Sequence, residues 1–215
     1  MSPETLAKPC FEVSKELDLV ELNQEFARLN PIERVEKSYV LFGDCLVLPT
    51  TFGPTAPLML TLAKEAISDI QIVTIRHGYE TEETLESADF YSSKLDFTPV
   101  IYQAPRLSIP LEGTPEFDEF QRKLKVEPFQ QMLDDLQPKA YFSGVMRWQT
   151  PEREHMPFIQ NKGSVIAINP VLDITEQQIN EFFERTGLPK NTNYFDPTKG
   201  INQKAECQLN TARYR

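Results

Sequence analysis

Apolar residues recur at helical spacing at Leu19, Leu22, Phe26 and Leu29, which predicts a helical opening to the chain. Asn30-Pro31 reads as an N-cap followed by proline at the first helical position, starting a second helix, IERVEKSYVLF. The pattern then changes. CLVLPTT is a short, continuously apolar run closed by FGP, the signature of a buried strand ending in a turn. TAPLMLTLAKEAI, with Thr55 as cap, is the next helix. QIVTIR is a second strand, ETEETLESADFYSSKL a helix and PVIYQA a third strand. An irregular stretch over 104–120 precedes a helix at EPFQQMLDDL and two more strands, AYFSGV and SVIAINP. Thr175-Glu176-Gln177-Gln178 is a capping box, and Ile179, Phe182 and Phe183 form the apolar stripe of a helix that Gly187 ends.

Strands alternating with helices predict an α/β fold: a doubly wound, mostly parallel five-stranded sheet with helices on both faces. Three parts are expected: a helical segment over 1–43 packed on the main unit, an α/β unit over 44–190, and a tail over 191–215. Ligands of such sheets bind beyond the carboxyl ends of the strands, so the residues that follow each strand are the candidates for chemistry.

Composition narrows this picture. With 215 residues the chain is long enough for one sizeable core. Its net charge of −10 disfavours nonspecific nucleic-acid binding. Cations are nevertheless clustered, at Arg122, Lys123 and Lys125 and again at Lys199, Lys204, Arg213 and Arg215. No apolar run approaches the roughly 20 residues of a membrane span, and the start, MSPETLAKPCFEV, lacks the form of a secretory signal. A cytoplasmic protein is expected. Cys10, Cys45 and Cys207 are far apart, show no zinc spacing and are expected to be reduced thiols.

Four places stand out. Thr50, Thr51, Gly53 and Thr55 follow the first strand and precede a helix, where backbone N–H groups and the helix dipole favour an anion. Arg76 and Gly78 follow the second strand, around His77. Arg147, Gln149 and Arg153 follow the fourth, and guanidinium groups suit phosphate or sulfate because each makes two parallel hydrogen bonds to an oxyanion. Cys207 lies near the end, flanked by Lys204, Arg213 and Arg215, whose charges favour its thiolate.

These segments resemble one family. GVMRWQTPEREHMPFIQNKGSVIAINPVLD is similar to the "G-x-R-R-x-Q-S-x-x-R … P-(I/L)-x-D" segment of phosphoadenylyl-sulfate (PAPS) reductases. Thr50-Thr51-Phe52-Gly53 is similar to their "S-S-F-G" turn, and Lys125-Val126-Glu127-Pro128 matches "K-V-E-P". Lys204 to Arg213 resembles the tail "K-x-E-C-G-(L/I)-H-x-A-x-R". The chain departs from the pattern at Arg76-His77, where the family has "D-T", and at Gln208 and Asn210, which stand in place of Gly and His. The segment from Leu188 to Gln203 is also shorter than the family's "Y-H-P-L … G-Y-x-S-x-G-D" passage.

The resemblance implies an adenine nucleotide alpha hydrolase-like fold and reduction of a sulfonucleotide to sulfite. Cys207 would be the nucleophile, and thioredoxin or glutaredoxin the electron donor. Thr50, Thr51 and Gly53 would cradle phosphate, Lys125 would add charge, and Arg147, Gln149 and Arg153 would hold sulfate or the 3′-phosphate. Related adenylyl-sulfate reductases carry a Cys-Cys pair where Phe120 and Gln121 stand here. No bound cofactor and no iron–sulfur cluster are therefore expected, which favours the 3′-phosphorylated substrate. A mobile tail is expected, and the resemblance also admits a homodimer. Two alternatives stay open at this point. One is a catalytically altered or inactive homologue that binds an adenine nucleotide. The other is an ATP-cleaving relative, against which the missing "S-G-G-x-D-S" loop counts.

Overall fold

The computed structural model describes residues 17–203 and 206–214. Cys10, Lys204 and Arg215 lie outside the described residues. Two helices open the chain. α1 (Leu19–Phe26) is capped by Asp18, which accepts from Val20 N and Glu21 N at 2.9 and 3.0 Å. α2 (Pro31–Phe42) starts at the Asn30 capping box, closed by Glu33, with proline in its first turn. Both caps satisfy N–H groups that a helix end leaves without partners. α1 is tied to the sheet by Asn23, whose side-chain amide donates to Ile159 O at 2.9 Å and accepts from Ile159 N at 2.9 Å.

The main unit then alternates as predicted: β1 (Leu46–Pro49), α3 (Ala56–Ala66), β2 (Gln71–Arg76), α4 (Glu82–Lys94) and β3 (Val100–Gln103). α5 (Pro115–Gln121) follows, then a π-helical turn over Arg122–Val126, α6 (Glu127–Leu136) and β4 (Ala140–Phe142). β5 (Ile159–Asn161), β6 (Ile166–Ile168), α7 (Glu176–Thr186) and α8 (Gln208–Thr211) complete the order.

The strands form one sheet in the order β3-β2-β1-β4-β6-β5. All neighbours are parallel except β5, which runs antiparallel to β6. The sheet therefore has six strands, not five. β5 was illegible in the sequence because it is three residues long and only Ile159 is buried, so it carries no alternating pattern.

Side chains that alternate along each strand divide the core. Leu46, Leu48, Ile72, Phe142 and Ile168 pack on one face with α2, α3 and α7. Val47, Val73, Tyr141 and Ala167 pack on the other with Phe129, Met132 and Leu133 of α6. Strand order reverses between β1 and β4. The loops after these two strands diverge and leave a crevice, the place where doubly wound sheets bind ligands.

The irregular stretch holds a helix that sequence reading left out, α5, whose Phe117 and Phe120 pack against Ala104 and Leu124. The end of the tail is docked in this structure. Tyr214 N donates to Lys162 O at 2.6 Å, Ser164 N donates to Tyr214 O at 3.2 Å, and the Tyr214 ring packs on Phe129 with centroids 4.9 Å apart. Cys45, buried at the start of β1, is disulfide-bonded, which corrects the expectation of three reduced thiols. Separation along the sequence says nothing about distance in space. Cys207 is the free cysteine among the described residues.

Candidate active site

Beyond the carboxyl ends of β1, β2 and β4 lies a cavity of about 550 Å³. Its floor is the loop after β1. Thr50 N donates to Val73 O at 2.9 Å, and the Thr50 hydroxyl accepts from Phe52 N at 3.2 Å. Phe52 takes a left-handed conformation (φ 52°) and is buried, so the loop turns sharply towards α3. A Cβ on Gly53 would stand 3.5 Å from the ring of Tyr194, in ordinary contact. Thr55 is the N-cap residue of α3, yet its hydroxyl makes no capping bond. It accepts instead from Gln149 Nε2 at 3.4 Å. Thr50, Thr51, Gly53 and Thr55 all line the cavity, as do Lys125, Gln149, Arg153 and Cys207. These eight predicted residues are brought together.

Lys125 reaches the cavity from the π-helical turn, which widens the helix by one residue and rotates the side chain inward. It is buried, and its ammonium is 3.0 Å from the Asp196 carboxylate, itself buried. Burial depresses the lysine most, but the charges of Asp196, Tyr194 and Cys207 and the hydrogen bond to Asp196 together outweigh it, and the net shift is upward. Burial would raise Asp196, but Lys125 and the hydrogen bonds from Thr198 N and the Thr198 hydroxyl, at 3.0 and 2.6 Å, hold it well below the carboxylate range. Both groups are charged at neutral pH.

Arg153 is buried and fully engaged. Its Nε and Nη2 donate to the two oxygens of Glu206 at 2.9–3.0 Å, and its Nη1 donates to Gln149 Oε1. Glu206 also accepts from the Thr150 hydroxyl at 2.6 Å and from the Asn210 amide. Burial pushes Glu206 up, and these bonds from Arg153, Thr150 and Asn210 bring it down below its ordinary value. The tail thus places a carboxylate on the guanidinium that sequence reading reserved for a ligand. Cys207 follows immediately and enters the cavity wall, partly exposed. Burial pushes its thiol up, Lys125 and Lys199 pull it down, and Asp196 pushes it up again; the net shift is upward.

Three predicted residues lie elsewhere. Arg147 donates to Met156 O at 3.2 Å and lies over the Phe158 ring, 5.0 Å from its centroid. The same ring carries Arg34 at 4.1 Å. Arg34 forms two hydrogen bonds to Asp173, at 2.6 and 2.8 Å, so the closing Asn169–Asp173 run anchors α2. Arg76 lines a separate small crevice with His77 and Glu80. Gly78 is exposed at φ 80°. Between them, His77 is buried and pushed down by burial and then by Lys125, so it is neutral. Its Nδ1 accepts from Tyr79 N at 3.1 Å, closing the loop. Arg122 and Lys123 pair with Glu119 on the surface.

Sequence reading missed Tyr194, Asp196 and Lys199 as cavity residues. The signal was present in Asp196-Pro197-Thr198, an aspartate capping a proline-started turn.

The model of the phosphoadenosine phosphosulfate reductase domain matches residues 45–198. The chain belongs to this family. Membership in the phosphoadenosine phosphosulfate reductase family makes it an oxidoreductase and implies a sulfonucleotide substrate. The phosphoadenosine 5′-phosphosulfate reductase of Vibrio atlanticus is 30% identical over 181 residues, covering 80% of this chain and 70% of that one. That of Aliivibrio salmonicida is 29% identical over 187 residues, covering 83% and 74%. Among solved structures, the PAPS reductase of Candida auris, in a phosphate complex, superimposes with a TM-score of 0.69 at 21% identity, covering 83% of this chain and 91% of that one. The FMN adenylyltransferase of Candida glabrata, in complex with FAD and pyrophosphate, gives 0.57 at 15% identity, covering 84% and 63%, a likeness of fold alone. The match to the reductase domain stops at residue 198, so Lys199, Glu206 and Cys207 lie beyond it. Among the described residues, no helix is long and apolar enough to cross a membrane.

Proposed function

We propose that this chain reduces 3′-phosphoadenylyl sulfate to sulfite with Cys207 as nucleophile and a thioredoxin-like dithiol as electron donor. The observation that carries this reading is that Cys207 enters the cavity formed by the Thr50–Thr55 loop, Lys125 and Gln149. The loop supplies N–H groups and hydroxyls at the start of α3 for a phosphate. The Cys207 thiolate attacks the sulfonyl sulfur, and the bond from that sulfur to the bridging phosphate oxygen breaks. Adenosine 3′,5′-bisphosphate leaves with the electron pair, and Cys207 carries an S-sulfonate. A thiolate of the dithiol then attacks Cys207 Sγ, releasing sulfite and forming a mixed disulfide. The second thiol resolves it, restores Cys207 and leaves the donor oxidised by two electrons.

Purified protein with PAPS, thioredoxin, its reductase and NADPH should yield sulfite. Without the donor, Cys207 should gain the mass of one SO₃ group. Cys207→Ser should abolish both, and sulfite formation that survives this substitution overturns the mechanism. A second reading, a nucleotide binder without turnover, draws on the upward shift of the Cys207 thiol. Tight binding of adenosine 3′,5′-bisphosphate with no S-sulfonated Cys207 would select it.

A further inference from the structure

Among the described residues, three cationic side chains line the cavity: Lys125, Arg153 and Lys199. Two are already neutralised. Lys125 meets Asp196 at 3.0 Å, and Arg153 meets Glu206 at 2.9 Å, with all four groups almost wholly withdrawn from water. Lys199 is different. No carboxylate of the described residues lies within ion-pair distance of it. Its ammonium stands 6.0 Å from the centroid of the Tyr194 ring, the ring that packs on Gly53 of the phosphate loop. Its backbone is fixed in the turn Pro197–Lys199, whose cap is Asp196, the same carboxylate that engages Lys125. Lys199 therefore projects half-buried from a rigid base, on a stem long and flexible enough to follow a ligand.

We propose that Lys199 is the charged anion-binding residue of the cavity, acting with the loop after β1, and that its ammonium leaves the Tyr194 ring to take an oxyanion oxygen of the ligand beside Cys207. The identity of that ligand as a sulfonucleotide rests on the proposed function. The physical reason lies in the balance of charge. A chain of net charge −10 draws a polyanion only where the local potential is positive. Each neutralised pair contributes little more than a dipole, which leaves Lys199 as the net charge of the wall among the described residues. Its weak hold on an aromatic face is readily exchanged for a charge-assisted hydrogen bond. The same charge also favours the Cys207 thiolate, so one side chain serves both the ligand and the nucleophile.

The test uses the full chain and its Lys199→Ala and Lys199→Arg variants, with adenosine 3′,5′-bisphosphate titrated by calorimetry. Loss of one charged hydrogen bond predicts binding weaker by about tenfold to a hundredfold in the alanine variant, a shallower dependence on salt, and recovery in the arginine variant. Unchanged affinity in Lys199→Ala, in protein that still forms sulfite from PAPS, overturns this inference and leaves the proposed function standing. If the unmodified chain binds no nucleotide and forms no sulfite, the proposed function fails. Alkylation of Cys207 by iodoacetamide, followed by peptide mass spectrometry, then decides the role of Lys199. Protection by inorganic sulfate that Lys199→Ala abolishes supports it; equal protection in both proteins, or none, overturns it.

Discussion

Glu206 stands one residue before the nucleophile of the proposed reaction, and its carboxylate is held by Arg153, Thr150 and Asn210. It fixes where Cys207 can be. Glu206→Gln leaves the Arg153 guanidinium buried against a neutral amide, and breaking such a pair costs about 3–5 kcal/mol in full burial. The tail is the element that can yield. Limited proteolysis around residues 204–210 should accelerate, and S-sulfonation of Cys207 should slow by about tenfold or more. The linkage has a definite sign. Glu206 is lowered by docking, so its contribution is complete above its unfolded pKa of about 4.3 and fades as pH falls through the lower docked value. Acid should therefore free the tail. Cys207 is shifted the other way. Its alkylation should be half-maximal above the value of about 8.5 for a free cysteine, and a midpoint at or below that value would contradict the upward shift.

Elements, rather than single residues, decide what the sequence made legible. Asn30-Pro31 and the Thr175 box announced α2 and α7 because capping is local chemistry written within four positions. Thr50–Thr55 was legible because a strand followed by hydroxyls, a glycine and a helix can bend in few ways. β5 and α8 were not, since a three-residue edge strand and a single helical turn are specified by what they dock on. Arg147 stands apart from the cavity for a related reason. An arginine beyond a strand suits an anion or an aromatic face equally, and here it lies over the Phe158 ring. Asp196 and Glu206 escaped because the carboxylates that engage Lys125 and Arg153 come from far along the chain. The docking of the tail as an element can be tested at Gly163, which has φ 95° and whose added Cβ would overlap the Tyr214 carbonyl. Gly163→Ala should break the bridge to Tyr214 and reduce sulfite formation several-fold. Affinity for adenosine 3′,5′-bisphosphate should change far less, because Gly163 lies outside the cavity wall.

At the scale of the whole molecule, Arg34 ties the two opening helices to the far end of the chain. It donates to Phe26 O at 2.8 Å, to Pro170 O at 2.8 Å and to both oxygens of Asp173, linking α1, α2 and the segment after β6. Asp173→Asn should lower the thermal midpoint by several degrees. The loss should be smaller than for a fully buried pair, because Asp173 is 41% exposed and water screens the charge left behind. Burial pushes Asp173 up, but Arg34 holds it below its ordinary value, so this stabilisation too is present at neutral pH and lost in acid. A thermal midpoint flat between neutral pH and pH of about 3 would contradict that linkage.

Two of the cavity's cations arrive with built-in competitors, and on the proposed chemistry this bears on the end of the cycle. A wall of bare arginines would grip the spent bisphosphate as firmly as the incoming substrate, and turnover would stall on departure. With Asp196 and Glu206 already holding Lys125 and Arg153, that chemistry leaves the grip on the spent nucleotide to Lys199 and the loop after β1, and departure breaks few charged contacts.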